Sequence, residues 1–166
     1  MSELSDAYAE DVDFAVVAYR DEGEWQIQPL GREKLADIDR LAAELRRWPG
    51  DAGSLGLVSV DEDFFLLVRV QGPETKVLLS DITASCDWPL ARSVVEHLSL
   101  PVPDVEDEQV PAGDLAIVAD LGMGAMDMGA LLDEYDLFPD EVLGDIAAKI
   151  GFGRQFDEAV GAVSAQ

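Results

Sequence analysis

Apolar residues recur at every second position in some stretches of this 166-residue chain and at helical spacing in others. Val12 to Tyr19 alternates, with Val12, Phe14, Val16 and Ala18 on one face, and predicts a strand. Arg20-Asp21-Glu22-Gly23 supplies a turn. Trp25 and Ile27 then alternate with polar neighbours over Glu24 to Gln28 and complete a hairpin. From Lys34 to Trp48 the period changes to that of a helix, with Leu35, Ile38, Leu41, Ala42, Leu45 and Trp48 on one face. Arg46 and Arg47 sit in its last turn, where the dipole favours cations, and Pro49-Gly50 ends it. Strands return over Leu55 to Val60, Phe64 to Val70 and Lys76 to Leu79. Their short connections, Asp61-Glu62-Asp63 and Gln71-Gly72-Pro73-Glu74, imply an antiparallel meander. In the middle strand Phe64, Leu66, Val68 and Val70 share one face while Phe65 and Leu67 take the other. A strand apolar on both faces is expected at the centre, covered on both sides.

A second helix is expected over Pro89 to Leu98, opened by a proline whose missing donor costs nothing in a first turn, with Leu90, Val94, Val95 and Leu98 inward. Pro101, Pro103 and Pro111 then mix with Asp104, Glu106, Asp107 and Glu108, the composition of a linker. Beyond it the pattern predicts a short strand over Asp114 to Ala119 and three short helices, Met126 to Tyr135, Pro139 to Ile150 and Arg154 to Val163. The expected class is α+β: an antiparallel sheet in ββαβββα order with a C-terminal βααα extension. The first part has the element order of profilin-like folds such as the roadblock and longin modules, an analogy of fold and not of function. The expected organisation is a disordered acidic tail over 1–11, a meander domain over 12–98, a linker over 99–113 and a C-terminal subdomain over 114–166.

Charge changes the picture more than size does. Eleven Lys and Arg stand against 35 Asp and Glu, a formal net charge of −24. Residues 1–98 hold 20 acids and 9 bases, and residues 99–166 hold 15 acids and 2 bases. Ser93 to Ala148 carries 14 acids and no Lys or Arg. Such a surface repels phosphate backbones and anionic membranes, which argues against direct nucleic-acid or membrane binding, and it attracts a basic protein. Acidity also serves solubility alone. No apolar run approaches a membrane span, the N-terminus lacks the basic-then-apolar order of a signal peptide, and one cysteine makes no intramolecular disulfide. A cytoplasmic protein is expected.

Candidate chemistry is thin. Ala119 to Tyr135, ADLGMGAMDMGALLDEY, follows an apolar run and leads into a helix, as a phosphate loop does. Gly122, Gly124 and Gly129 are spaced G-x-G-x-x-x-x-G, no Gly-Lys-Ser/Thr follows, and Asp120 and Asp127 would meet a phosphate with like charge. A tight turn into a helix and a partner-docking surface remain, the latter because Met123, Met126 and Met128 cluster there. Cys86 and His97 share no metal-ligand motif. Asp81 and Asp87 would raise the Cys86 pKa, the reverse of nucleophile activation. No catalytic constellation can be named, and no metal or cofactor is expected.

Five segments resemble a known family in order and spacing. They are DFAVVAYRDEGEW (Asp13 to Trp25), DEDFFLLVRV (Asp61 to Val70), KVLLSD (Lys76 to Asp81), GDLAIVADLGM (Gly113 to Met123) and LFPDEVLGDIAAKIGFGRQFDEAV (Leu137 to Val160). Together they resemble the actinobacterial tRNA adenosine deaminase-associated proteins over about residues 12–160. The resemblance implies association with the tRNA-specific adenosine deaminase, a link named largely from neighbouring genes, and brings no catalytic residues. The chain is not itself the deaminase, whose zinc chemistry needs an H-x-E…P-C-x-x-C pattern that one His and one Cys do not supply. The expected role is a non-catalytic accessory or regulator in tRNA modification, docking on basic protein surface through Asp120, Met123, Met126, Asp127 and Phe138. The alternative is a small-molecule sensing domain with a pocket near Trp25, Phe65 or Trp88.

Overall fold

Apolar alternation on both faces of the strands builds a sheet that must be covered twice, and the computed structural model shows both covers. It describes residues 12–30, 35, 37–48, 53–61, 63–104, 106–133 and 137–164, with side chains through 161. The expected acidic tail over 1–11, the Pro49-Gly50 stop and Tyr135 lie outside the described residues. Strands β1 (Val12–Asp21), β2 (Glu24–Pro29), β3 (Ser54–Val60), β4 (Phe64–Gln71), β5 (Glu74–Leu79) and β6 (Ala112–Gly113) form one antiparallel sheet in the order β2-β1-β3-β4-β5-β6. Among the described residues five α-helices complete it: α1 (Ile38–Leu45), α2 (Pro89–His97), α3 (Ala125–Leu132), α4 (Pro139–Ile150) and α5 (Gly153–Ser164).

Each face of the sheet has its own core. Phe64, Leu66, Val68 and Val70 of β4 join Val17, Val58 and the buried faces of α1 and α2. Phe65 and Leu67 join Val16, Leu57 and the buried faces of α3, α4 and α5. Burying a side chain of this size stabilises by about 1.5–3 kcal/mol, so β4, buried from Phe64 to Val70, anchors both layers. α1 starts later than the apolar period suggests, because Asp37 caps it by accepting from Arg40 N–H at 2.8 Å. Leu35 still packs in the first core ahead of that cap.

Two local patterns depart from the sequence reading. Val12 pairs with Val60 and Phe14 with Ser59, so two residues of β1 oppose one of β3 at a bulge. The bulge puts Val12 in the first core while Phe14, Val16 and Ala18 point into the second, and strict alternation is broken once. Asp13, at the bulge, accepts a hydrogen bond from Ser59 Oγ at 3.0 Å. The apolar run from Asp114 to Ala119 is not a strand. The strand lies just before it, at Ala112–Gly113, and the run curls into successive turns and a 3-10 turn, Ala119–Leu121. Asp114 causes this. Its carboxylate accepts from Ala116 N–H at 2.9 Å and its carbonyl from Ile117 N–H at 3.2 Å. Ile117 and Val118 are thereby fully buried without pairing in the sheet.

Candidate protein-docking surface

The segment that raised the phosphate question is a hinge between the sheet and its second cover. Gly122 ends the 3-10 turn at φ +132, a conformation that favours glycine, and packs against the backbone of Lys149 and Ile150. Gly124 then caps α3. Ala119, Asp120 and the first turn of α3 reach the surface.

The five residues expected at an interface divide by burial. Met123 is buried in the second core, as is Met128, so its thioether packs the fold and offers a partner nothing. Met126 is 89% exposed in the first turn of α3, and Asp127 beside it is exposed. Phe138 is 54% exposed at the start of α4, where its N–H donates to Glu141 Oε1 at 3.1 Å. Gly122 meets the C-terminal end of α4 and Phe138 caps the N-terminal end.

Asp120 has a partner that sequence distance hides. Arg69, on the second face of β4 and the only buried Lys or Arg among the described residues, donates to both Asp120 carboxylate oxygens and to Ile117 O at 3.1 Å. The Arg69 hydrogen bonds hold the Asp120 carboxyl below the usual carboxylate range, with the nearby positive charges of Arg69 and Lys76 adding to the effect. The arrangement fixes a turn and neutralises one buried cation. An arginine inside an otherwise apolar strand, RV after FFLLV, was the only signal that an acid must come to it.

Charge is segregated between the two covers. Around α1 and α2, exposed Arg40, Arg46, Arg47 and Arg92 stand among Asp37, Asp39, Glu44, Asp63, Asp87 and Glu96. Around α3, α4 and α5, exposed Asp127, Asp133, Asp140, Glu141, Asp145, Asp157 and Glu158 face only Lys149 and Arg154. Met126 and Phe138 stand on that acidic cover.

Other candidate groups are placed apart. Cys86 donates to Pro103 O at 3.1 Å, and burial, then Asp87, Asp104, Asp107 and Asp81, push its thiol up, away from thiolate chemistry. Trp25 packs on Phe152 at 4.8 Å and Phe65 is buried, both in the second core, whereas Trp88 lies against Phe64 at 6.0 Å in the first. Trp88 therefore lies on the other face of the sheet from Trp25 and Phe65. Among the described residues, no group of three or more His, Cys, Asp or Glu could hold a metal ion, and no helix is long and apolar enough to cross a membrane.

A family model described as Rv3753c-like tRNA adenosine deaminase-associated protein matches residues 13–153. Protein Rv3753c of Mycobacterium tuberculosis (strain ATCC 25618 / H37Rv) is 36% identical over 150 residues, covering 89% of this chain and 87% of the relative. No solved structure matches.

Proposed function

The chain belongs to the Rv3753c-like family of tRNA adenosine deaminase-associated proteins, and from that premise we propose that it is a non-catalytic accessory protein that binds the tRNA-specific adenosine deaminase through its acidic cover. The observation that carries the docking is the position of Met126, 89% exposed, on a surface with almost no positive charge. A methionine left in water beside Asp127 costs hydration free energy and adds nothing to the core. A partner with apolar pockets set in basic surface recovers that free energy.

A deaminase acting on tRNA must present cations to phosphates, and the acidic cover of this protein is complementary to such a surface. Its carboxylates then stand where phosphates would, so this protein and tRNA compete. Such a role is cytoplasmic, and a chain with a single free cysteine suits that compartment. The test is displacement of labelled tRNA from the deaminase of the same organism. Release of tRNA as this protein is added supports the competition. A ternary complex with tRNA retained removes the mimicry and leaves the association.

A further inference from the structure

Sulfur is concentrated in one short stretch of the chain. There are four methionines and one cysteine, and three of the methionines fall between Gly122 and Gly129. The fold treats these three differently. Met123 and Met128 are buried, and Met126 is 89% exposed. Helix geometry explains the split within α3. Met126 and Met128 are two residues apart, about 200° around the helix axis, so with Met128 pointing into the second core Met126 points into water. Leu131 and Leu132 pack on the same core as Met128 and fix that orientation. Met126 belongs to neither core.

A thioether has no proton to lose, so access to its sulfur decides how fast a peroxide oxidises it. Cys86 competes poorly for the same oxidant. A thiol reacts through its thiolate, and the half-buried Cys86 thiol donates to Pro103 O at 3.1 Å and is held protonated by burial and by Asp87, Asp104, Asp107 and Asp81. Among the described residues, Met126 is the sulfur that a peroxide reaches first.

We propose that Met126 is a reversible oxidation site, and that a peroxide switches off this apolar anchor of the docking surface by converting it to methionine sulfoxide. A sulfur lone pair attacks one oxygen of hydrogen peroxide. The S–O bond forms and the O–O bond breaks. The departing hydroxide takes the proton of the transferred oxygen and leaves as water. The sulfur is oxidised by two electrons and the peroxide is reduced by two. A sulfoxide reductase reverses the change with two thiols as reductant, releasing water and a disulfide. The exposure that admits the peroxide admits that enzyme as well.

The fold does not resist the modification, because the added oxygen stands in water and the packing of Met123 and Met128 is untouched. In a complex the same oxygen is an acceptor carried into an apolar pocket, and burying it without a donor costs affinity. Asp127, exposed beside Met126, is unchanged by peroxide, so the electrostatic attraction persists while the apolar anchor is lost. This regulation rests on the reading that Met126 docks into the deaminase.

The test treats the full chain alone with hydrogen peroxide, removes the oxidant, and then adds untreated deaminase of the same organism. Peptide mass mapping is expected to find the added oxygen at Met126 about tenfold sooner than at Met123 or Met128. The melting temperature is expected to hold while affinity for the deaminase falls about tenfold. Sulfoxide reductases of both stereospecificities should restore the affinity. Met126→Leu, compared with its own untreated form, should keep its affinity through the same treatment. Equal oxidation rates at the three methionines would overturn the site. A Met126 sulfoxide that binds as tightly as the thioether, or a Met126→Leu protein that loses affinity in peroxide, would overturn the switch and leave the docking reading standing. Absence of any complex at low salt before treatment would overturn the docking and the switch with it.

Discussion

Arg69 and Asp120, 51 residues apart, are joined by a pair of charge-assisted hydrogen bonds that tie the centre of the sheet to the first turn of its acidic cover. Arg69 is buried and Asp120 is more than half exposed, so the pair is asymmetric. Its Coulombic part is screened on the Asp120 side, while loss of the acid strands a buried guanidinium. Asp120→Ala is expected to cost about 1–2 kcal/mol in urea unfolding. Adding Arg69→Met to that variant should restore part of the loss, because an apolar side chain of similar length suits the site better than an unpaired cation. A double variant less stable than Asp120→Ala would contradict this.

The pH dependence of stability carries two opposite signatures. The pKa of Asp120 is depressed in the folded protein, first by its hydrogen bonds from Arg69. It therefore contributes stability that is present above the unfolded carboxylate value of about 4 and lost as the pH falls through the folded pKa. The pKa of Asp63 is raised, first by burial and then by Asp81, Asp61 and Asp87, with a hydrogen bond to Trp88 offsetting part. Its contribution is present below about pH 4 and lost as the pH rises through the folded pKa, so ionised Asp63 weakens the fold at neutral pH. Asp63→Asn should raise the urea midpoint at pH 7 and lose that advantage in acid. Asp120→Asn should lower it at pH 7 and converge on the wild type in acid.

Backbone geometry separates two glycine substitutions. Gly113→Ala drives a Cβ into Val77 O at φ +119, and should cost about 3 kcal/mol by displacing β6. Gly161, exposed in α5, has nothing within 4 Å of where its Cβ would stand. Gly161→Ala should stabilise by about 0.5–1 kcal/mol in thermal melts.

Met123, Met126 and Met128 look alike in the sequence, but burial assigns them different roles. Met123→Ala empties part of the second core and should cost about 2–5 kcal/mol of stability. Met126→Ser and Phe138→Ser should leave the melting temperature unchanged and each weaken deaminase binding about tenfold. Unchanged affinity in both surface variants, measured by calorimetry, would remove α3 and the start of α4 from the interface.

Much of the fold was legible because its signals are periodic and local. Two-residue alternation marked the first hairpin, short apolar runs between turn residues marked the next three strands, and the split of Phe64, Leu66, Val68 and Val70 from Phe65 and Leu67 marked the two covers. What was hidden depends on one residue or on distance. The bulge at Asp13 moves Val12 to the other face without changing composition. An aspartate at position 114 turns a strand-like run into buried turns through its own carboxylate. Burial of Met123 and exposure of Met126 follow from where the hinge at Gly122 aims α3, which no short window contains. The Arg69–Asp120 pair needs the sheet and its acidic cover assembled before the two meet.

The most direct test is the affinity of this protein for the deaminase of the same organism, measured at low and at high salt. Docking of an acidic cover on basic surface predicts a complex at low salt that weakens steeply as salt rises, with a residue of binding left from the apolar anchors. No association at low salt, or an affinity indifferent to salt, would contradict it.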